Sequence, residues 1–284
     1  MSVAVEPRQV DELLRRALAE DLGDGDVTTS SLGLDALPRA AKIEAQERMV
    51  VAGLDAAARV FTLLDPAVHL ELLVPDGDAV APGTELARIE GSLGTLLAAE
   101  RTSLNVLGHL SGIATRTREY VEAVAGTRAR VADTRKTLPG LRMLAKYAVS
   151  VGGGENHRIG LFDAVLIKNN HVDAVGGIHE ALRRVQTSGH TGPVEIEVRD
   201  LAELDRALAF EPLPAWILLD NFDLPLLTEA VRRNAGRCRL EASGGMRLER
   251  VAAVAATGVD RISVGALTHS ARWADVHMVL IESR

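Results

Sequence analysis

Strand-like and helix-like segments alternate regularly through the second half of the chain. Six short runs rich in valine, isoleucine and leucine predict β-strands, namely RARVADT, DAVLIKN, PVEIEV, AWILLDN, RLEASG and DRISVGA. Parallel strands need a long crossover between them, usually a helix, so this alternation predicts a parallel sheet. Six strand–helix units, rather than the usual eight or so, predict an incomplete α/β barrel.

Helical periodicity fills the intervals between these strands. Apolar residues recur every three or four positions in LRMLAKYAVSV, IHEALRRVQTS, LAELDRALAF, PLLTEAVRRNA and LERVAAVAAT. A longer segment with the same period runs from about Thr95 to Ala125. This spacing places the apolar side chains on one face of each helix, so each helix can cover the sheet.

The first hundred residues have a different pattern. Pro7 to Asp21 is predicted to be an amphipathic helix, and the stretch DGDVTTSS that follows is predicted to be a turn. Residues 40–94 read as strands around one short helix. The segment VPDGDAVAPGTELARIEG resembles the hairpins of biotinyl and lipoyl carrier domains, but no lysine lies between Lys42 and Lys136. A carrier needs a lysine to attach its cofactor, so that function is excluded.

Composition narrows the class of protein further. The chain has 284 residues and a net charge of -7, which argues against a nucleic-acid-binding protein. No apolar run is long enough for a membrane span, and the N-terminus lacks the pattern of a signal peptide. Cys238 is the single cysteine, which fits a reducing compartment. We therefore expect a soluble cytoplasmic enzyme that uses neither membrane nor nucleic acid.

Polar residues follow the predicted strands where an α/β barrel carries its active site, at the carboxyl ends. The residues in these positions are Thr134, Arg135, Lys136, Lys168, Asn169, Asn170, Glu195, Glu197, Asp220, Asn221, Ser243, Gly244, Gly245 and Gly265. SGGM and SVGALTHS follow the last two strands and resemble phosphate-binding turns, in which backbone N–H groups face an anion.

The charged residues in these loops predict an anionic substrate. Arg135, Lys136, Arg158 and Lys168, together with His157, supply more positive charge than one phosphate requires. Two acids, Glu197 and Asp220, lie on successive strand ends. These acids either form ion pairs with the cations or hold a hard metal ion and stabilise positive charge on a sugar carbon.

Several motifs give the chain a family resemblance over nearly its full length. The motifs are ERTSLN, DTRKTLPGLR, GGGENHRIGLFDAVLIKNNH, EIEV, LLDN, ASGGM and ISVGALTHS. They resemble those of quinolinate phosphoribosyltransferase, also called nicotinate-nucleotide pyrophosphorylase (carboxylating). DTRKT, GGGENHR and KNNH are highly specific for this family, whereas SGG or LLDN alone is not.

The resemblance implies a fold and a reaction. A small N-terminal α/β sandwich domain, residues 1–110 joined by the C-terminal tail 270–284, would precede an incomplete α/β-barrel domain of residues 111–269. The enzyme would join quinolinate to phosphoribosyl pyrophosphate with Mg²⁺, releasing pyrophosphate and CO₂ and forming nicotinate mononucleotide for NAD biosynthesis. It would work as a homodimer or a larger homo-oligomer.

The resemblance also implies roles for individual residues. Arg135, Arg158, Lys168 and His157 would bind the carboxylates of quinolinate. Lys136 and the loops containing Ser243, Gly244, Gly245 and Gly265 would bind phosphates, with His269 a further candidate. Glu197 and Asp220 would serve the ribose hydroxyls and Mg²⁺, and with Lys136 they would act at the reacting atoms. Arg101 would reach the site of the neighbouring subunit, although its place within a helix suggests only a surface charge.

Two other activities remain open from the residues. A related phosphoribosyltransferase would act on another pyridine or aromatic acid, such as nicotinate. A barrel lyase would use Lys168 to form a Schiff base with a carbonyl substrate.

Overall fold

The computed structural model describes residues 6–281, which form two compact units. The N-terminal unit comprises the described residues of Ser2–Arg118, Leu138–Gly153 and Ala271–Arg284. The barrel unit comprises Glu119–Thr137 and Gly154–Ser270. Among the described residues, no helix combines the length and the apolar character that crossing a bilayer requires.

Helices and strands follow one another closely along the chain. The helices are α1 Pro7–Leu22, α2 Val27–Ser31, α3 Leu54–Leu64, α4 Leu93–Ala123, α5 Arg142–Val151, α6 Asn169–Val175, α7 Ile178–Thr187, α8 Leu201–Leu208, α9 Leu224–Asn234, α10 Leu248–Ala256 and α11 Ala266–His269. The strands are β1 Pro38–Ala45, β2 Met49–Val50, β3 His69–Leu72, β4 Ala79–Val80, β5 Glu85–Ser92, β6 Arg130–Ala132, β7 Val165–Ile167, β8 Val194–Val198, β9 Trp216–Asp220, β10 Arg239–Ser243, β11 Arg261–Ser263 and β12 Val276–Ile281.

An antiparallel sheet organises the N-terminal unit. Its strand order is β12-β1-β5-β3, and β2 and β4 form a separate two-stranded sheet. Alternate residues of β1, Ala41, Ile43 and Ala45, are fully buried, as expected when one face of an antiparallel sheet covers a core. Phe61 of α3 and Leu14 of α1 are completely buried in the same apolar cluster. Burying a side chain of this size stabilises the fold by about 1.5–3 kcal/mol.

Asp76 fixes the start of α3 in the N-terminal unit. Its carboxylate accepts hydrogen bonds from the N–H groups of Gly53 (2.6 Å) and Leu54 (3.1 Å). The Tyr147 hydroxyl donates a third bond of 2.7 Å to the same carboxylate. Gly53 has no side chain with which to cap the helix, so Asp76 satisfies these N–H groups from a distant loop.

Glycines let α4 approach the main chain closely. A Cβ atom on Gly112 would lie 2.1 Å from the carbonyl oxygen of Arg272, and one on Gly94 would lie 2.9 Å from that of Asp35. Both distances are shorter than van der Waals contact, so only glycine fits without movement of the neighbouring backbone.

The barrel unit is a curved sheet of six parallel strands in the order β6-β11-β10-β9-β8-β7. Its strands are the six that the sequence predicted, and helices connect them. Within the described residues β6 and β7 are the two edges, so the ring of strands is open. The predicted fold class, an incomplete α/β barrel with a smaller N-terminal domain, is confirmed.

Side chains on the barrel strands alternate between two faces. Ile196, Ile217 and Leu219 are fully buried on one face. On the other face, the register aligns Glu197 with Leu218 and Glu241 with both Leu218 and Arg261. The period of two in a strand therefore places charged residues inside the barrel while their apolar neighbours point away from it.

One local prediction was wrong. The stretch DGDVTTSS, predicted to be a turn, contains the short helix α2. The Asp26 carboxylate accepts hydrogen bonds from the N–H groups of Thr28 (2.9 Å) and Thr29 (3.1 Å). This N-cap, together with burial of Thr29, stabilises one helical turn that has no amphipathic period to reveal it.

Candidate active site

A cavity of about 210 Å³ opens at the carboxyl ends of the barrel strands. Its walls combine four cationic side chains with three carboxylates. The lining residues are Thr134, Arg135, Lys136, His157, Arg158, Leu166, Lys168, Glu197, Leu218, Asp220, Glu241, Ser243 and Ser263. Eight residues predicted to form a site thus share one cavity: Arg135, Lys136, His157, Arg158, Lys168, Glu197, Asp220 and Ser243.

Asp133 anchors the loop that carries His157 and Arg158. This buried residue follows β6, and its carboxylate accepts hydrogen bonds from Asn156 Nδ2 (2.7 Å) and the His157 N–H (2.9 Å). Its own N–H donates to the carbonyl oxygen of Glu155 at 3.1 Å. A carboxylate that accepts several hydrogen bonds holds its partners firmly, because charged acceptors bind more strongly than neutral ones.

Arg135 and Arg158 are close enough to repel each other. Burial, and after it the charge of Arg135, lower the pKa of the Arg158 guanidinium. Arg158 donates to the carbonyl oxygen of Ala164 at 3.2 Å. The buried Nε of Arg135 has no hydrogen-bond partner among the described residues. Two adjacent cations with an unused donor favour binding of an anion, which would relieve the repulsion and accept the bond.

Lys168, Glu197 and Asp220 line the cavity near the ends of the neighbouring strands β7, β8 and β9. Burial raises the pKa of the Glu197 carboxyl, and the charge of Asp220 raises it further, whereas the Asn169 N–H and Lys168 act in the other direction. The Asn169 N–H donates to Glu197 Oε1 at 3.3 Å. Glu197 and Asp220 lie on the paired strands β8 and β9, and the charge of Asp220 disfavours ionisation of Glu197.

The glycine loop after β10 packs closely against the residue that follows β9. Gly244 has a φ of +98° and Gly245 a φ of +56°, conformations that favour glycine. A Cβ atom on Gly244 would lie 2.1 Å from Asn221 Oδ1. The N–H of Asn221 donates to the Ser243 carbonyl oxygen at 2.9 Å. The loop thus turns tightly beside Ser243, which lines the cavity.

The loop after β11 contacts the strand end that carries Lys136. A Cβ atom on Gly265 would lie 3.0 Å from Lys136 Cδ and 3.1 Å from His269 Nε2. The Thr268 hydroxyl donates to the Lys136 carbonyl oxygen at 2.8 Å. Gly265 and His269 do not line the cavity themselves, but they lie beside the Lys136 side chain that does.

A buried group of charges closes the inner end of the cavity. His157 Nε2 lies 3.1 Å from Glu195 Oε2 and 3.6 Å from Glu241 Oε1. Arg261 pairs with both carboxylates, at 3.2 Å to Glu195 and in a shorter contact to Glu241. Burial, and after it the charge of Glu195, raise the pKa of the Glu241 carboxyl to about 7, against opposing effects of Arg261 and His157.

Arg101 is the predicted site residue that belongs to the other unit. It lies on α4 in the N-terminal unit and is exposed. The same unit contains a larger cavity of about 420 Å³, whose lining includes Asp11, Arg59, Asp76 and Tyr147. Its Arg59 is already paired with Asp11, and its Asp76 already accepts three hydrogen bonds. We therefore place the candidate active site in the smaller cavity, where charged groups have unused bonding capacity.

The buried residues Asp133, Glu241 and Ser263 and the half-buried Arg261 were missed as site residues. Glu241 and Arg261 each lie two positions before the last residue of their strand, Ser243 and Ser263. A charged residue two positions before a strand end, and so on the same face as the site residues, is the signal that could have identified them.

Comparison with known proteins agrees with this geometry. The family model for the quinolinate phosphoribosyl transferase C-terminal domain matches residues 113–279, and the one for the N-terminal domain matches residues 26–111. The nicotinate-nucleotide pyrophosphorylase [carboxylating] of Mycobacterium leprae is 46% identical over 275 residues, 95% of this chain and 96% of its own length. A probable enzyme of the same name from Synechocystis is 43% identical over 278 residues, 96% of this chain and 93% of its own.

Solved structures give the same result. The nicotinate-nucleotide pyrophosphorylase of Francisella tularensis has a TM-score of 0.93 at 36% identity, covering 99% of each chain. With two domain models that together span most of the residues, and relatives matched along their whole length, this chain belongs to the quinolinate phosphoribosyltransferase family.

Proposed function

We propose that this chain transfers the phosphoribosyl group of phosphoribosyl pyrophosphate to quinolinate, with loss of CO₂, and forms nicotinate mononucleotide and pyrophosphate. This is the phosphoribosyl transfer by which its family serves NAD biosynthesis. The observation that carries the proposal is the cavity at the strand ends, whose lining brings Arg135, Arg158 and Lys168 together with Glu197 and Asp220. Such a cavity suits an acid with two carboxylates beside a sugar that becomes cationic.

The acid-binding side is assigned to the cations of the β6 and β7 ends. Quinolinate carries two carboxylates on neighbouring ring carbons, and Arg135, Arg158 and Lys168 supply at least one cation for each. The unpartnered Arg135 Nε and the lowered pKa of Arg158 support a doubly anionic ligand in this place. Holding both carboxylates would orient the ring nitrogen toward the sugar, which replaces a random encounter by a fixed geometry.

The phosphate side is assigned to Lys136 and to the glycine loops after β10 and β11. Lys136 lines the cavity, and Gly265 lies close to both the Lys136 side chain and the His269 ring. Gly244 and Gly245 let the backbone after Ser243 turn so that N–H groups can face an anion. Lysine acts here as a point charge, which suits a phosphate group that shifts during the reaction.

Glu197 and Asp220 fit a Mg²⁺ ion. Both are carboxylates, the oxygen ligands that this ion prefers, and both line the same cavity from the neighbouring strands β8 and β9. Substrate oxygens and water would complete the coordination. When bound, Mg²⁺ would neutralise charge on the departing pyrophosphate.

The chain's own residues account for the course of the transfer. The bond between the anomeric carbon and the pyrophosphate oxygen breaks with its electron pair on oxygen, and the ring nitrogen of quinolinate donates its lone pair to that carbon. The transition state resembles an oxocarbenium ion, which Glu197 and Asp220 would stabilise. The ring nitrogen becomes cationic, so the adjacent carboxylate leaves as CO₂. Its electron pair remains on the ring carbon until a proton adds.

Assembly and location are further proposals. We infer a homodimer, or a larger homo-oligomer, in which Arg101 of one subunit serves the site of its neighbour. The exposure of Arg101 on α4 leaves its guanidinium available for such a role. A chain whose single cysteine cannot form an internal disulfide suits the reducing cytoplasm.

A turnover assay tests the main proposal. Purified protein should convert quinolinate to nicotinate mononucleotide only when phosphoribosyl pyrophosphate and Mg²⁺ are present. Nicotinate, tested side by side, should react far more slowly because it lacks one carboxylate. No turnover at saturating substrates would refute the proposal, and faster turnover of nicotinate would transfer it to a related phosphoribosyltransferase. A borohydride-stable adduct on Lys168 with a carbonyl substrate would support a lyase instead.

Lys168→Ala tests the acid-binding role. Loss of one hydrogen bond to a charged group costs about 1.5–3 kcal/mol, so the KM for quinolinate should rise roughly tenfold or more. Lys42→Ala is the matched control, because Lys42 pairs with Glu44 and Glu85 in the N-terminal unit. An unchanged KM for quinolinate in Lys168→Ala would exclude this role.

Subunit mixing tests the shared site. Arg101→Ala and Glu197→Ala should each be inactive as pure proteins. If Arg101 completes the site of a neighbour, mixed dimers contain one intact site, and activity should return toward a quarter of the wild-type value at random exchange. No recovery after subunit exchange has been demonstrated would contradict the proposal.

A further inference from the structure

Beneath the cavity, the barrel interior holds an ionic group where apolar side chains usually pack. Glu195, Glu241 and Arg261 are 8%, 0% and 12% exposed, respectively, as side chains. Arg261 also lies over the ring of Trp216, with its guanidinium carbon 3.8 Å from the ring centroid. Burying two carboxylates costs free energy unless each is paired, so Glu195 and Glu241 depend on the positive charge of Arg261.

Arg261 is held on three sides. Its Nη2 donates to both oxygens of Glu195, at 3.2 and 3.3 Å, and its Nε donates to Glu241 in a shorter contact. The Trp216 ring covers one face of the guanidinium, which adds a cation–π attraction. The planar fork of arginine matches two carboxylates at once, which a lysine ammonium cannot do.

The two ring nitrogens of His157 connect this group to the cavity wall. Nε2 donates to Glu195 Oε2 at 3.1 Å, and Nδ1 accepts a hydrogen bond of 2.7 Å from the Arg158 N–H. This pair of contacts assigns the proton to Nε2. The predicted contact of His157 with a substrate carboxylate would therefore require one of these two bonds to break.

The same contacts fix the backbone at Arg158. His157 is bonded from below by Glu195 and from the side by Asp133, which accepts the His157 N–H. Through Nδ1 it then holds the Arg158 N–H, and the Arg158 guanidinium is itself bonded to Ala164. A continuous set of hydrogen bonds thus runs from Arg261 to the residue that faces the substrate acid.

We propose that Arg261, acting through Glu195 and Glu241, is a positioning residue that orients His157 and the Arg158 backbone for binding of the acid substrate. The proposal rests on the proposed function, because it concerns the acid-binding side of the same cavity. It assigns no direct substrate contact to Arg261. Its effect is on the geometry of Arg158, and it should therefore fall on quinolinate rather than on phosphoribosyl pyrophosphate.

A metal ion is the alternative occupant of this group. His157, Glu195 and Glu241 offer ligand atoms within 4.8 Å of one another. Arg261 already supplies positive charge to both carboxylates, and a divalent cation beside a guanidinium would suffer repulsion. The charge balance therefore favours a hydrogen-bonded support over a metal site.

Steady-state kinetics of two conservative variants test the inference. Arg261→Lys keeps the charge but loses the fork, and Glu195→Gln keeps the shape but loses the charge of the carboxylate that His157 contacts at 3.1 Å. Each should raise the KM for quinolinate about tenfold, about 1.4 kcal/mol, while the KM for phosphoribosyl pyrophosphate stays within about twofold. Arg239→Met is the matched control, since Arg239 also lies over Trp216, at 5.3 Å, but forms none of these bonds to Glu195 or Glu241.

The outcomes separate this inference from the proposed function. Absence of turnover in the wild-type protein would refute the function, whereas an active wild type with unchanged KM values in both variants would refute the positioning role. A lower melting temperature with both KM values shifted equally would indicate a purely structural role and would also overturn it. If Arg261→Lys does not fold, Glu195→Gln alone decides. Long-range ¹H–¹⁵N spectra should show His157 protonated at Nε2 only, and protonation at Nδ1 would contradict the geometry.

Discussion

Replacing Gly244 by alanine should weaken binding of phosphoribosyl pyrophosphate. At its φ of +98°, a non-glycine residue pays about 1–3 kcal/mol in backbone strain. The new Cβ would also lie 2.1 Å from Asn221 Oδ1 and 3.0 Å from Asn221 Cα. Asn221 cannot retreat freely, because its N–H is bonded to the Ser243 carbonyl oxygen at 2.9 Å. The loop that we propose to bind a phosphate must therefore move.

The size of the effect follows from this strain. If about 1–3 kcal/mol is needed to restore the binding conformation, the KM for phosphoribosyl pyrophosphate should rise roughly 5- to 150-fold. The KM for quinolinate should change little, since Arg135, Arg158 and Lys168 lie in loops other than the one after β10. The overlap with Asn221 adds to the strain, so a value in the upper part of this range is expected.

Alanine substitutions at two other glycines distinguish backbone strain from steric overlap with Asn221. Gly245→Ala has a φ of +56° but no atom within 4 Å of the new Cβ, so it should raise the same KM less than Gly244→Ala does. Gly236→Ala, at a φ of +76° in the turn between α9 and β10, is the control for strain away from the cavity. Phosphoribosyl pyrophosphate should be varied at saturating quinolinate, with thermal melting measured in parallel. A KM in Gly244→Ala equal to that of Gly236→Ala would refute the reasoning.

Three further predictions concern stability and metal dependence. Asp76→Ala should lower the free energy of unfolding by about 2–3 kcal/mol in urea denaturation, because it removes three hydrogen bonds, whereas exposed Asp78→Ala should change it by less than about 0.5 kcal/mol. Gly112→Ala should destabilise the protein by about 1–3 kcal/mol or more, and by more than Gly94→Ala, because its Cβ would overlap the main chain more severely; the reverse order would contradict the packing. Chelation of divalent ions should abolish turnover, and added Mg²⁺ should restore it, whereas turnover that persists in chelator would exclude a required metal.

The barrel was predictable because its signal is local. Each strand is a short apolar run and each helix a run of period three to four, so six units could be recognised without knowledge of contacts. The rule that active sites lie at the carboxyl ends of barrel strands then predicted that Arg135, Lys168, Glu197 and Asp220 lie close together. All four line one cavity. The roles of these residues stay predictions, as do the domain boundaries near residues 110 and 270.

The support beneath the cavity was not predictable in the same way. It depends on the register that aligns Glu241 with Arg261 across two strands, and no local pattern specifies that register. The use of both His157 nitrogens likewise depends on a neighbouring strand and on the next peptide bond. The short helix α2 was not predicted for a different reason. Asp26 caps a single turn, which is too short to show a helical period of apolar residues.

The pairing of β12 with β1 has a consequence for the order of folding. Ala40 lies opposite Ile281, so partners in this sheet are about 240 residues apart in the chain. During synthesis this edge of β1 stays unpaired until β12 has left the ribosome. An exposed edge invites association with other chains, and slow, distant pairing prolongs that exposure. Until β12 is available, the free edge of β1 is therefore open to pairing with other chains.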